Sequence, residues 1–220
     1  MALSQRNPRV TPEQVLAGLL PPPTFADSTL ENYRPVTGEP TQQRALDEVS
    51  RFAQSLAEPD RARRRGWFRR REPAGSEGSR IGLYLDGGFG VGKTHLLAGA
   101  WHVAPSPKLF ATFVELTHVV GALGFAQAVE RLASYRFVCI DEFELDDPGD
   151  TVLVSTLLAR LADRGVRLAA TSNTLPDKLG EGRFAAEDFL REIQALASHF
   201  AVIRIDGPDY RHRDLTDPAP

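Results

Sequence analysis

Cysteine and lysine are scarce in this 220-residue chain, and it has no long apolar run. The single cysteine, Cys139, excludes a disulfide framework and favours a reducing compartment, so we expect a cytoplasmic protein. Cys139 lies in an apolar stretch, where we expect it to be a small buried hydrophobe. No stretch approaches the ~20 apolar residues of a membrane span, and the first residues lack the apolar core of a signal peptide.

Charge and composition set further bounds. The net charge of −3 does not by itself indicate a nucleic-acid-binding protein. Basic charge is almost all arginine, since Lys93, Lys108 and Lys178 are the only lysines. A hydrophobic content of 42% over this length can form one sizeable core and leaves little room for a second full domain.

A glycine-rich stretch matches the phosphate-binding pattern G-x-x-x-x-G-K-[ST]. An apolar strand precedes it and a helical pattern follows, which would place bound phosphates at a helix N-terminus. Small residues let backbone N–H groups surround phosphates, a lysine reaches the outer ones, and a hydroxyl binds Mg²⁺. We predict that the nucleotide contacts Gly87, Gly88, Phe89, Gly90, Val91, Gly92, Lys93, Thr94 and His95.

A second apolar strand, residues 136–141, ends at Asp141 and is followed directly by Glu142. Strands buried on both faces belong to parallel sheets, whose carboxyl ends bind ligands. We predict that Asp141 joins Thr94 in holding Mg²⁺ and that Glu142 polarises the attacking water. The alternative is a solvated acidic loop, because the acids continue to Asp147.

A third strand, residues 166–172, is followed by Asn173. We predict that Asn173 senses the γ-phosphate or the attacking water, because its strand is expected beside the acidic one. An ordinary strand-ending turn is the alternative, since Asn, Ser and Thr also favour turns.

Strands alternating with helices predict an α/β fold, a three-layer P-loop NTPase with a five-stranded parallel sheet. We divide the chain into an N-terminal helical and extended segment (1–80), the core (81–207) and a tail (208–220). The predicted strands are 81–86, 108–116, 136–141, 166–172 and 200–206. The predicted core helices are 93–103, 117–134, 150–164 and 185–199, with N-terminal helices at 11–20 and 41–57.

Two further hypotheses concern arginines outside the glycine-rich loop. The run from Arg61 to Arg71 is either a solvated insertion, which we favour, or a contact for nucleic-acid phosphates. Hydrolysis also needs positive charge at the γ-phosphate, and Arg183 and Arg191 are candidate arginine fingers. An arginine there would act on a neighbouring copy, so we expect an ATP-dependent ring or dimer. An ordinary surface arginine is the alternative at each position.

The chain resembles the ZapE family of AAA+ ATPases and looks like an actinobacterial member. The resemblance runs from Leu30 to about Arg211 and is most specific in Gly87–Thr94, in residues 139–148 and in residues 171–176. It implies ATP and Mg²⁺ as cofactors, ATP hydrolysis, and a protein partner in the division machinery at the cytoplasmic membrane. Mitochondrial relatives are linked to protein turnover and respiratory complex maintenance.

Two departures from the family pattern qualify that expectation. Relatives continue well beyond Asp209-Tyr210-Arg211, so we expect this chain to lack the helical lid with its second sensor arginine. The Arg61–Arg71 run is also outside the family pattern. Two alternatives to an ATPase acting on protein assemblies therefore stay open: a nucleic-acid-associated ATPase resembling a helicase loader, and an ATP-binding module with negligible turnover.

Overall fold

A parallel sheet forms the centre of the computed structural model, which describes residues 11–57, 82–144, 147–175 and 197–212. Its strands are β1 Gly82–Gly87, β2 Lys108–Thr112, β3 Phe137–Asp141, β4 Arg167–Ser172 and β5 Phe200–Ile205. All are parallel, in the order β2-β3-β4-β1-β5. This confirms the predicted fold class and places β3 beside β4.

Helices cover both faces of the sheet. They are α1 Pro12–Ala17, α2 Pro40–Ala57, α3 Lys93–Val103, α4 Phe113–Leu123, α5 Phe125–Leu132 and α6 Pro148–Asp163. Because successive strand residues point to opposite faces, Leu83 and Leu85 pack with α2 and α3, whereas Tyr84 packs with α4 and α6. Cys139 is fully buried on the α2–α3 side, which confirms it as a small buried hydrophobe.

The predicted strand 108–116 is wrong in its second half, because α4 begins at Phe113. Thr112 caps that helix: its hydroxyl accepts from the Glu115 backbone N–H, and the Glu115 carboxylate accepts from the Thr112 N–H. This reciprocal capping box satisfies free donors of the first turn and outweighs the β-propensity of the apolar residues around it.

The predicted helix 117–134 is also wrong as a single element. It is divided between α4 and α5 at Gly124, whose φ of +77° is incompatible with a continuous right-handed helix. The break lets two short helices, rather than one long helix, cover this end of the sheet.

The N-terminal segment packs against the core, where its Leu30 and Tyr33 are buried. A short 3₁₀ turn, Pro23–Phe25, interrupts it near its start. The segment then crosses α3 at Gly99, where a Cβ would lie 2.9 Å from the Leu30 side chain and 3.0 Å from its backbone nitrogen. The close approach therefore depends on a residue without a side chain.

Several sequence predictions lie outside the described residues. These are the Arg61–Arg71 run, Arg183, Arg191 and most of the predicted helix 185–199. The domain boundaries at 80 and 207 remain predictions. Within the described ranges, no helix has the length and apolar character needed to cross a membrane.

The Gly99 crossing gives a stability prediction. Gly99→Ala should lower the free energy of unfolding by about 1–2 kcal/mol, because the new methyl group meets the backbone at Leu30. Gly121→Ala is the matched control on the exposed face of α4, with nothing within 4 Å of the new methyl group. It should raise stability by up to about 1 kcal/mol through helix propensity. Urea unfolding measures the change in the free energy of unfolding for both variants. Equal changes would contradict the close approach of Leu30 to Gly99.

Candidate nucleotide site at the carboxyl edge of the sheet

The glycine-rich loop joins the end of β1 to the start of α3. Gly90 and Gly92 have φ values of +68° and +93°, a region that side chains disfavour. Gly92 is the N-cap of α3, and a Cβ there would lie 2.6 Å from the Tyr33 ring. Gly88 has open space where a Cβ would stand. The loop therefore has room at the helix N-terminus, where backbone donors favour an anion.

Lys93 is held by three oxygen acceptors. Its Nζ donates to the carbonyl oxygens of Gly87 at 2.7 Å and Gly88 at 2.6 Å, and to Asn173 Oδ1 at 2.9 Å. Burial lowers the pKa of Lys93, whereas Asp86, Asp141 and Glu144 oppose that shift. The ammonium group thus lies between the loop and the end of β4, beside a concentration of negative charge.

Asp141 lies at the end of β3 with only 4% of its surface exposed. Burial raises its pKa, and hydrogen bonds from Thr171 and Thr94 oppose that effect. Thr94 Oγ1 donates to Asp141 Oδ1 at 3.1 Å, so the loop hydroxyl and the carboxylate are adjacent. Together they provide hard oxygen atoms of the kind that Mg²⁺ prefers.

Glu142 is presented by an unusual turn. Its φ of +54° makes it the one described non-glycine residue with a positive φ. Its N–H donates to Thr171 Oγ1 at 3.0 Å, and the next residue, Phe143, donates to the Thr171 carbonyl at 2.7 Å. The hydroxyl of Thr171 in turn donates to Asp141 Oδ1. These bonds hold the turn while the Glu142 side chain remains exposed.

Asn173 follows β4 and connects two charged groups. Its Oδ1 accepts from Lys93, and its Nδ2 donates to Glu144 Oε1 at 2.8 Å. The prediction that its strand lies beside the acidic one is confirmed by the pairing of β3 with β4.

The N-terminal segment contributes contacts that the sequence analysis did not foresee. Tyr33 OH donates to the Val91 carbonyl at 3.0 Å. His95 Nε2 lies 3.0 Å from the Thr29 carbonyl and 2.8 Å from Asn32 Oδ1. These bonds make His95, a predicted nucleotide contact, an anchor for the N-terminal segment as well. No local pattern links residues this far apart in the chain.

The turn after β5 reaches the same loop. The Tyr210 N–H donates to the Gly90 carbonyl at 2.8 Å, and the Asp209 carboxylate occupies the space next to Gly90 that a Cβ would need. Arg211 pairs with Asp209. The Asp-Tyr-Arg run is visible in the sequence, but it supported only the family resemblance and suggested no place in the site.

These elements enclose a cavity of about 560 Å³. Its lining combines predicted site residues with residues from both ends of the described chain. The predicted ones are Phe89, Gly90, Gly92, Lys93, Thr94, His95, Asp141, Glu142 and Asn173, and the others include Asn32, Tyr33, Arg34, Tyr210 and Arg211. The cavity has the size and the mixture of apolar walls and convergent polar groups typical of a small-molecule site.

Comparison with known proteins decides the family. A sequence model of the AFG1-like ATPases matches residues 10–219. The chain belongs to the AFG1-like ATPase family. It is 35% identical over 148 residues to the cell division protein ZapE of Escherichia coli (strain K12), a match covering 61% of this chain and 39% of ZapE. The chain therefore spans well under two thirds of the length of ZapE. The family assignment confirms the resemblance found in the sequence.

Solved structures support the P-loop NTPase fold of this AFG1-like ATPase. DnaI superimposes with a TM-score of 0.58 at 20% identity, covering 84% of this chain and 94% of DnaI. The replication initiator DnaA bound to AMPPCP and single-stranded DNA superimposes with a TM-score of 0.59 at 17% identity, and the match covers 86% of this chain and 51% of the DnaA chain. At these identities the likeness concerns the fold.

The Thr171 bonds give a second prediction. Thr171→Val should lower the free energy of unfolding by about 1–3 kcal/mol, because the Glu142 N–H and the buried Asp141 carboxylate both lose a partner. Thr171→Ser keeps the hydroxyl and should stay within about 1 kcal/mol of wild type. Chemical unfolding of both variants tests this, and equal losses would show that shape rather than hydrogen bonding matters at this position.

Proposed function

We propose that this chain binds ATP with Mg²⁺ and hydrolyses it. The observation that carries the proposal is the convergence of Lys93, Thr94, Asp141 and Glu142 on one cavity at the carboxyl edge of a parallel sheet. Membership of an ATPase family supports the same activity. The loop supplies anion-binding donors, and the adjacent oxygens of Thr94 and Asp141 fit a divalent cation.

Each residue then has a distinct part in the reaction. Lys93 contacts the outer phosphates, and Thr94 with Asp141 would hold Mg²⁺, which when bound neutralises charge on the phosphate oxygens. Glu142 orients and deprotonates the attacking water, because it is exposed to the cavity while its backbone is fixed by Thr171. Asn173 contacts the γ-phosphate or that water.

The base and ribose occupy the other part of the cavity. Asn32, Tyr33 and Tyr210 are among the residues that line the cavity. Aromatic rings in the lining suit a planar base. Selection of ATP over GTP is proposed from the family rather than from a hydrogen bond to the base.

Positive charge from a second copy would complete the site. Arg183 and Arg191 remain our candidates for an arginine finger, and their action in trans requires an ATP-dependent homo-oligomer. Turnover per chain is then expected to increase with protein concentration.

The work done by hydrolysis is proposed to be remodelling of a protein assembly at the bacterial division site, in the cytoplasm and peripherally at the membrane. Similarity to ZapE, named as a cell division protein, supports this proposal. The second candidate is a nucleic-acid-associated ATPase, favoured by the seven arginines from Arg61 to Arg71.

Glu142→Gln tests the catalytic proposal. It should lower kcat by at least about 100-fold and retain ATP binding, because it removes the base and leaves the phosphate contacts intact. Steady-state hydrolysis with Mg²⁺, together with calorimetric binding of ATP, measures both effects. Glu130→Gln, on the exposed surface of α5, is the control and should hydrolyse ATP like wild type. Undiminished turnover in Glu142→Gln would contradict the proposed base, and binding without turnover in wild type would indicate a nucleotide-binding module.

Single-stranded DNA separates the two candidate functions. Hydrolysis should be unaffected by DNA at about 50 mM and about 200 mM salt if the substrate is a protein assembly. Stimulation that falls steeply with salt, and is lost when Arg63, Arg64, Arg65, Arg69, Arg70 and Arg71 are replaced by Ala, would favour the nucleic-acid-associated ATPase.

A further inference from the structure

The orientation of the Asn173 side-chain amide is determined by its two neighbours. Lys93 Nζ can only donate hydrogen bonds, and an ionised Glu144 can only accept them. The amide oxygen therefore faces Lys93 at 2.9 Å, and the amide nitrogen faces Glu144 Oε1 at 2.8 Å. Reversing the amide would put the nitrogen against an ammonium group and the oxygen against a carboxylate.

This orientation is unfavourable for an incoming phosphate. Lys93 already donates to three oxygens, so a phosphate oxygen that binds Nζ must displace one of them. Two of the three are backbone carbonyls of the loop, and the third is the Asn173 side chain. An amide oxygen left facing the phosphate would repel it, whereas an N–H group would donate to it.

We infer that Glu144 determines how strongly the site prefers a nucleoside triphosphate to a diphosphate, by holding the Asn173 amide in the orientation that opposes γ-phosphate binding. For the amide nitrogen, rather than the oxygen, to face a γ-phosphate bound at Lys93, the amide must turn over. Turning brings Oδ1 towards Glu144 Oε1, so that two acceptors face each other without a proton between them. Glu144 therefore raises the free energy of the triphosphate-bound arrangement. This inference rests on the proposed function, because it assumes that phosphates bind at Lys93.

The same geometry gives Glu144 a place in the acidic run after β3. Asp141 faces Thr94 and Thr171, Glu142 faces the cavity, and Glu144 faces the end of β4. Asp147 accepts from two backbone N–H groups and caps α6. The acids thus divide into separate positions, and Glu144 is a positioning residue that acts through Asn173.

Glu144→Gln tests the inference with little change in volume. The amide that this substitution introduces can turn with Asn173 and offer it a donor, so the penalty on the reversed orientation disappears. The ratio of the affinities for the β,γ-methylene analogue of ATP and for ADP should rise about three- to tenfold, measured by calorimetry with Mg²⁺. Glu144→Ala, which removes the acceptor outright, should change the ratio in the same direction.

Two controls separate this effect from the loss of a negative charge. Asp86→Asn removes a carboxylate that acts electrostatically on Lys93, and it should change the ratio by less than about twofold. In an Asn173→Ala background, Glu144→Gln should have no further effect on the ratio, because the amide that it orients is gone.

The outcomes are distinct. A ratio that is unchanged or lower in both Glu144 variants would overturn the inference, as would the same rise in the Asn173→Ala background. Wild-type protein that binds neither nucleotide would instead refute the proposed function.

Discussion

The hydrogen bonds of Thr171 join the ends of β3 and β4 at the point where regular strand pairing stops. The ladder between these strands extends to the pair Ile140 and Ala170. Beyond it, the Thr171 hydroxyl donates to Asp141 and accepts from the Glu142 N–H, while its carbonyl accepts from Phe143. One side chain therefore orients the proposed metal-binding carboxylate and stabilises the strained turn that exposes the proposed base.

The parallel arrangement of the sheet brings most residues of the proposed nucleotide site together. All five strands end at one edge, so residues distant in sequence meet there: Lys93 after β1, Asp141 at the end of β3 and Asn173 after β4. The sequence patterns are sufficient to predict this convergence, because each site residue lies at or just beyond the end of an apolar strand. Parallel strands buried on both faces have few alternative arrangements.

Other features depend on contacts that a local pattern cannot contain. The bond from Tyr33 to the Val91 carbonyl links residues 58 positions apart, and Tyr210 reaches Gly90 from the opposite end of the chain. The capping box of Thr112 and Glu115 is different, because its T-x-x-E spacing is visible in the sequence and marks a helix start. The apolar residues near it instead favoured a longer strand.

The central claim is that one cavity binds both the phosphates and the metal. A crystal structure with Mg²⁺ and the β,γ-methylene analogue of ATP tests it most directly. We expect phosphates within the Gly87–Thr94 loop, the metal at Thr94 and Asp141, and the base beside Tyr33 and Tyr210. A nucleotide bound elsewhere, or a metal held by other residues, would contradict it.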